Sequence, residues 1–345
     1  MNILLTGAGR RNFLVHYFRQ ALGPSGKVIA CDASPDAPAM TEADESIVVP
    51  SMDHPSYFNA LESICREKRV RLIVPVNDLE IAGMARHAPQ FHAVGAIPLV
   101  PSPAMVTMCQ DKWAAFQWLR ARGISVPETF ETLASARAAI ASGALRFPFL
   151  MKPRWGTSSI GIETVENARE LELAHEWGLI QLHRTLLAKL SKPDCGEAFL
   201  YQERLIGQEY GMDVVNDLNG NYAATLARRK LVMRAGNTDR AISVVDPGIE
   251  RLGQLIGRGM AQPGSVDCDV MAVGDSHFVL DINPRLGGGY PFSHLAGANL
   301  PAALVAWAEG TLPDPAWLSY RPGVFSAKFE GVMIVERSRI TSTVE

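Results

Sequence analysis

The chain has 345 residues, 47% of them apolar and 20% charged, with a formal net charge of −3. That length buries a large core and suggests roughly two or three domains, and so mild a negative balance gives no electrostatic reason to expect nucleic acid or an anionic membrane. Its five isolated cysteines, Cys31, Cys65, Cys109, Cys195 and Cys268, contain no CxxC pair, which reads as reduced buried thiols of a cytoplasmic protein and not as a disulfide framework or zinc site.

Met1–Thr6 runs straight into a glycine turn, so a first strand is expected there and not a signal peptide. No uninterrupted apolar run is long enough for a membrane span. Ile3–Thr6 reads as a buried strand, and Phe13, Leu14, Tyr17, Phe18, Ala21 and Leu22 then recur at helical spacing. Thr6-Gly7-Ala8-Gly9-Arg10-Arg11, with Asp32 further on, resembles a dinucleotide fingerprint. Its third glycine is missing and arginines occupy the turn, which disfavours NAD and suggests that the paired arginines hold an acidic substrate group. Val28–Cys31, Ile47–Val49 and Leu72–Val74 continue the strands, with a helix over Tyr57–Lys68. Such alternation implies a parallel sheet covered on both faces. Asn77, Asp78 and Glu80, just after the Ile73–Val76 strand, suit either a capped helix start or polar contact across a cleft.

Pro98, Pro101 and Pro103 mark a boundary. Helical patterns cover Lys112–Arg122 and Leu133–Ala141. A strand, glycine loop and strand follow over Phe149–Ile162, then a polar helical stretch to about Leu190. From Phe199 to Asn283 the reading becomes longer strands: Leu200–Arg204, Glu209–Asn216, Tyr222–Arg229, Val266–Val273 and His277–Asn283. Only a helix over Ile249–Met260 interrupts them, so an antiparallel sheet with helices is expected. No internal repeat is present.

The sharpest chemistry lies at the end of that sheet. Asp281 and Asn283 share one face of a strand by the period-two rule, as do Asp267 and Asp269 on the strand before. A three-residue loop, Gly274-Asp275-Ser276, would pair Val273 with His277 and set Asp269 opposite Asp281 and Asp267 opposite Asn283. A two-residue loop would shift the register by one and send the two pairs to opposite faces. Like charges directly opposite destabilise a ladder. A hard cation removes that repulsion, and carboxylate and amide oxygens are what Mg²⁺ takes, completed by water and phosphate oxygens. The plainer alternative is a solvated polar face. A second element is Lys152 at a strand end, followed by the Gly156–Gly161 loop, which suits phosphate oxygens; a surface hairpin with a chance lysine is the competing reading. Third, Tyr201–Tyr210 reads as strand, glycine bend and strand, able to form a hinge against adenine.

Together, Glu203-Arg-Leu205-Ile-Gly-Gln-Glu209-Tyr-Gly-Met-Asp-Val-Val, the lysine-plus-glycine loop and Asp281-Ile-Asn283-Pro-Arg285 resemble the ATP-grasp superfamily, in particular one synthetase half of the carbamoyl-phosphate synthetase large subunit. The resemblance covers nearly the whole chain. It implies an α/β N-terminal parallel-sheet (pre-ATP-grasp) domain over 1–105, a linker and helical subdomain over 106–145, a lid over 146–206, and an α+β ATP-grasp catalytic subdomain with antiparallel sheets over 207–345. By position it implies that Lys112 and Lys152 contact ATP, that Gly156 and Ser159 belong to a mobile lid loop, that Glu203 and Leu205 meet adenine, and that Glu209 binds ribose. Asp269, Asp281 and Asn283 fall on metal ligands. Arg285 and Lys230 fall on catalytic positions beside the transferred phosphate, though the sequence leaves open which of Arg228, Arg229 and Lys230 faces inward. Aspartate stands at 281 where glutamate is usual, and at 269 where glutamine or glutamate is common.

The activity implied is ATP-dependent carboxylate–amine ligation through an acyl phosphate, with ATP and two Mg²⁺ (or Mn²⁺) as cofactors. Small-molecule carboxylates and amines are the expected partners, with no nucleic acid, no membrane, and a homodimer allowed. Competing readings are a bicarbonate-activating carboxylase or carbamoyl-type synthetase, and a nucleotide-binding module without catalysis. Tyr290 and His294, after the Gly287–Gly289 run, suit substrate contact or helix packing.

Overall fold

A computed structural model describes residues 1–157, 159–185, 188, 198–335 and 340–342. Strands β1 (Asn2–Thr6), β2 (Lys27–Asp32), β3 (Glu45–Val48), β4 (Val70–Pro75) and β5 (Ile97–Pro98) pair in parallel in the order β3-β2-β1-β4-β5. Alternate residues of these apolar strands feed two cores, as a sheet covered on both faces requires. Ile3 and Leu5 pack with α1 (Asn12–Leu22) through Leu14 and Phe18. Leu4 and Ile73 pack on the other side, against α3 (Tyr57–Glu67) and α4 (Asp78–Ala93); the short α2 (Pro38–Glu42) precedes β3.

Next come α5 (Pro103–Gln110) and α6 (Lys112–Arg120). A second, antiparallel sheet contains β6 (Thr129–Phe130), β7 (Phe149–Pro153), β8 (Glu163–Val165) and β9 (Phe199–Glu203), in the order β6-β9-β7-β8. Helices α7 (Leu133–Ser142) and α8 (Ala168–Leu182) cover it through Ala136, Ala139 and Leu171. Residues 186, 187, 189 and 190 of the helical stretch expected to Leu190 lie outside the described residues, as does Cys195.

The third sheet holds the long strands: β10 (Gln208–Asn216), β11 (Tyr222–Arg234), β12 (Asn237–Ser243), β13 (Gly264–Val273), β14 (Ser276–Asn283) and β15 (Phe325–Ala327), in the order β14-β13-β10-β11-β12-β15. Helix α9 (Pro247–Met260) fills one face with Ile249 and Ile256 against Met212, Val214 and Val266. Strand β12 has no counterpart in the sequence reading. Its buried positions are Thr238, Ala241 and Ser243, too small and polar to print a hydrophobic period. After β14 come α10 (Tyr290–Leu295) and α11 (Leu300–Ala308), the latter packed on the first sheet through Leu300 and Leu304. A last strand, β16 (Ile340–Ser342), pairs in parallel with β3. Strand β16 thus joins the first sheet, although it lies within the 207–345 unit drawn from sequence, and β6 joins the second sheet from within the segment read as linker.

The β13–β14 hairpin corrects one expectation and keeps its consequence. The turn has two residues, with Val273 paired to Ser276 and not to His277. That register alone would send the acidic pairs to opposite faces. A β-bulge restores it: Leu280 is an extra residue between the Val270–Val279 and Asp269–Asp281 pairs, so Asp269 faces Asp281 and Asp267 faces Asn283. Among the described residues no helix is long and apolar enough to cross a membrane, and Cys31, Cys65, Cys109 and Cys268 are free, buried thiols.

Candidate active site

A cavity of about 370 Å³ opens between the second and third sheets. From the second sheet and its loop it is lined by Lys152, Gly156, Ser159, Glu203 and Leu205. The third sheet supplies Glu209, Asp269 and Asp281, and α6 supplies Lys112. Every residue that the sequence assigned to nucleotide contact therefore meets in one cleft. Asn283 does not line it but lines a smaller hollow, which shares Lys112, Asp281, Gly156 and Thr157 with the cavity.

Lys152 is 5% exposed and has no carboxylate partner among the described residues. Its ammonium donates to Gln202 Oε1 at 2.9 Å and lies 4.6 Å from the Phe116 ring centroid. Burial brings its pKa down to about 7, with Lys112 adding to the effect and Asp281 opposing it. A buried cation held by a neutral amide and an aromatic face is costly unless an anion arrives. Lys112 is placed by a neighbouring clamp. Asp111 caps α6 by accepting from the Trp113 and Ala114 amides, and Arg154 grips the same carboxylate with two nitrogens at 2.8 and 2.7 Å. Arg154 also donates to Glu131 at 2.6 Å.

On the cleft face of the third sheet, charges alternate in sign. Lys230 donates to Glu209 at 2.7 Å and to Asp269 at 2.6 Å, and Lys112 donates to Asp281 at 2.5 Å. Ammonium groups therefore neutralise the facing carboxylates from either side. Burial opposes the charge on Lys230, but Asp269 and Glu209 outweigh it and push its pKa up to about 12. Arg228, 2% exposed, donates to Asp213 at 2.6 Å and to Asp267 at 3.0 Å. Strand alternation thus turns Arg228 and Lys230 toward the cleft face, with Arg229 on the other.

Arg285 is the link to the first sheet. It reaches Asp78 at the start of α4 with Nε at 2.6 Å and Nη2 at 3.2 Å, and Asp267 at 3.5 Å. Asp78 also accepts from Thr157 of the glycine loop at 2.7 Å, so one carboxylate joins all three parts of the chain. Burial alone would raise its pKa, but Arg285 and Thr157 bring it below the usual value. Both readings of this segment hold: Asn77 and Glu80 form the capping box, and Asp78 makes the cross-cleft contact. The loop after β14 fits only without side chains. A Cβ at Gly289 would stand 2.1 Å from Arg228 Nη2, and one at Gly287 would stand 2.3 Å from Asp267 Cγ. Farther on, His294 stacks on Tyr17 with centroids 3.6 Å apart and pairs with the Tyr290 hydroxyl at 2.9 Å. Burial lowers its pKa to about 4, so it is neutral packing between α1 and α10.

Residues 196–329 match the family model described as ATP-grasp in the biosynthetic pathway with Ter operon, and residues 3–100 match the PylC-like N-terminal domain. Over 92% of its length the chain superposes on biotin carboxylase from Campylobacter jejuni, with a TM-score of 0.71 at 17% identity, covering 73% of that chain. Residues 196–329 are thus an ATP-grasp region, set in a chain with the same fold. N5-carboxyaminoimidazole synthetase from Staphylococcus aureus has the same fold (TM-score 0.66, 16% identity, 91% of this chain and 78% of that one). A formate-dependent phosphoribosylglycinamide formyltransferase from Synechococcus sp. (strain CC9311) is 31% identical over 185 residues, which is 50% of this chain. The chain spans only 42% of that curated relative's length. The superfamily reading from the motifs therefore stands, and carbamoyl-phosphate synthetase is one similar family within it.

Sequence reasoning gave no role to Gln202, Asp111, Arg154 or Asp213. Their roles come from partners on other elements, and only the Asp111-Lys112 order hinted at a helix cap. The donor set at Asp269, Asp281 and Asn283 suits a hard cation, since each carboxylate gives one oxygen to a lysine and retains a second. No cluster of three His, Cys, Asp or Glu side chains capable of holding a metal by itself occurs among the described residues.

Proposed function

We propose that this protein is an ATP-dependent ligase that joins a carboxylate to an amine through an acyl phosphate. The observation that carries this reading is the pairing of opposites in one cleft: the buried Lys152 without a counter-ion, facing Asp269 and Asp281 across a cavity that Glu203, Leu205 and Glu209 also line. A triphosphate–metal complex needs that combination, a cation for phosphate and oxygens for the metal.

In this reading Glu203 and Leu205 border the adenine, Glu209 the ribose, and Lys152 and Lys112 the phosphates, with Gly156 and Ser159 closing over them. Asp269, Asp281 and Asn283 would hold Mg²⁺, which would supply positive charge against the phosphates. The substrate carboxylate oxygen attacks the γ-phosphorus, the bond to the bridging oxygen breaks, and ADP leaves. Arg285 and Lys230 offset charge as it moves. An amine nitrogen then attacks the acyl carbon, the carbon–oxygen bond to phosphate breaks, and the nitrogen gives up a proton. Asp78 and Thr157, by tying the loop to Arg285, keep water from the acyl phosphate.

ADP release measured over a panel of carboxylates and amines, with product mass detection, tests the reading. ADP should form only when both are present. Asp281→Asn should reduce turnover roughly 100-fold or more with an unchanged circular dichroism spectrum. Full activity in that variant sinks the metal role, and turnover on bicarbonate alone, or nucleotide binding with none, sinks the ligase reading.

A further inference from the structure

Lysines in the cleft are held in two different ways. Lys230 faces Glu209 and Asp269, and Lys112 faces Asp281, so a carboxylate already offsets each charge. Lys152 is held instead by the amide oxygen of Gln202, with the Phe116 ring close by. The second sheet makes this contact. Gln202 on β9 pairs with Leu150 on β7, and Lys152 lies two residues further along β7, so the two side chains are diagonal neighbours on one face. Across the other edge of β9, Gln202 pairs with Thr129 of β6. Gln202 and Thr129 are both buried, and Gln202 lines the cavity with Lys152.

A primary amide can present either end to a neighbour, and Thr129 decides which. Its hydroxyl donates to the Pro127 carbonyl oxygen at 2.9 Å. A hydroxyl has a single hydrogen, so toward Gln202 it can only accept. Gln202 Nε2 donates to it at 2.8 Å, which turns Oε1 toward the Lys152 ammonium at 2.9 Å. The reverse orientation would set amide hydrogens against the ammonium. Three hydrogen bonds in series, from a backbone carbonyl to the lysine, thus fix where this charge sits without cancelling it. A carboxylate in the same place would hold the ammonium as firmly, but it would already supply the negative charge that a phosphate brings.

The geometry points to Gln202 as a positioning residue for nucleotide binding: oriented by Thr129, it holds the Lys152 ammonium against the phosphates and, being neutral, leaves the charge to them. This rests on the nucleotide part of the ligase reading and not on the amide-forming steps that follow.

Calorimetric titration of the full chain with Mg-ADP tests it. Gln202→Met keeps the side-chain length and removes both hydrogen bonds, and affinity should fall about 10-fold. In a Lys152→Met background the same substitution should change affinity less than about twofold, because no ammonium is left to place. Gln202→Glu keeps an acceptor beside the lysine but adds a charge, and it should bind at least as weakly as Gln202→Met. Thr129→Val removes the hydroxyl that orients the amide and should weaken binding about 3- to 10-fold, whereas Thr129→Ser should restore it. If Gln202→Met does not fold, Thr129→Val carries the same comparison with and without Lys152. Losses of equal size in the two backgrounds, or parental affinity in Gln202→Glu, overturn the assignment. Absence of Mg-ADP binding by the parent chain overturns both it and the ligase reading. If positions 202 and 152 are coupled but no carboxylate and amine yield ADP, the ligase reading falls and the positioning role stands. Turnover with Mg-ADP affinity unmoved by changes at 202 and 129 has the reverse meaning.

Discussion

Glu80, in the first-sheet region, and Arg228, on the third sheet, are both fully buried ionisable side chains, yet their neighbours differ in kind. Glu80 accepts hydrogen bonds from the Tyr57 hydroxyl at 2.7 Å and from the Val76 and Asn77 amides. All are neutral, two come from the entry to its own helix, and burial lifts its pKa to about 7. Arg228 is gripped by carboxylates from two other strands. Burial works against its charge, and Asp213 and Asp267 more than make up the difference. A neutral local network of the first kind secures a helix start. A charged network between strands, beside cations such as Lys152 that lack a counter-ion, is arranged to handle charge that arrives from outside.

The comparison breaks most visibly at Arg228. Its replacement by Met should leave Asp213 and Asp267 without their main partner, and urea unfolding should show a loss of about 3–5 kcal/mol. A loss below about 1 kcal/mol would mean that water reaches these carboxylates, and that the network is not a dry one.

The sequence made the third sheet legible through Asp267, Asp269, Asp281 and Asn283, because period-two spacing survives any context. Their convergence was expected from the wrong turn, however, and is achieved by the bulge at Leu280. Sequence cannot show a bulge when the extra residue is an ordinary leucine. The first sheet was readable from its apolar runs. Strand β12 was not, since Thr238, Ala241 and Ser243 bury little apolar area and are held by pairing with β11. The partners of Arg285 and Lys112 were only partly visible. Asp78 was flagged by its place after a strand end, whereas Arg154 and Glu131 act through folding that brings distant segments together.

Lys152 sharpens the comparison from the other side. Its folded-state pKa, about 7, lies below the value near 10.5 expected in the unfolded chain. The unfolded chain therefore holds more protons between these limits, and stability rises with pH through that window. Lys152→Met removes the buried ammonium, so at pH 6 the variant should be at least as stable as the parent. Mg-ATP affinity should nevertheless fall about 10- to 100-fold. Because phosphate favours the charged lysine, nucleotide binding at pH 8 should take up as much as one proton per molecule. Calorimetry in buffers of different ionisation enthalpy measures this uptake. A variant that melts early and still binds nucleotide normally makes Lys152 a structural residue.

The smallest effect is expected at Glu80, and its sign is opposite. Its folded-state pKa, about 7, is above the value near 4.3 of a free glutamate. The proton it keeps stabilises the fold fully below the unfolded value, and that stability is lost as pH rises through 7. Glutamine keeps the shape and cannot ionise. Glu80→Gln should therefore be about as stable as the parent at pH 5 and more stable than it at pH 8, as read from urea midpoints. Its Mg-ATP affinity should stay within about twofold of the parent, because none of the partners of Glu80 lines the cleft between the sheets. A tenfold change in that affinity would show the N-terminal acid to be coupled to the cleft, and the division between architecture and charge handling would then have to be drawn elsewhere.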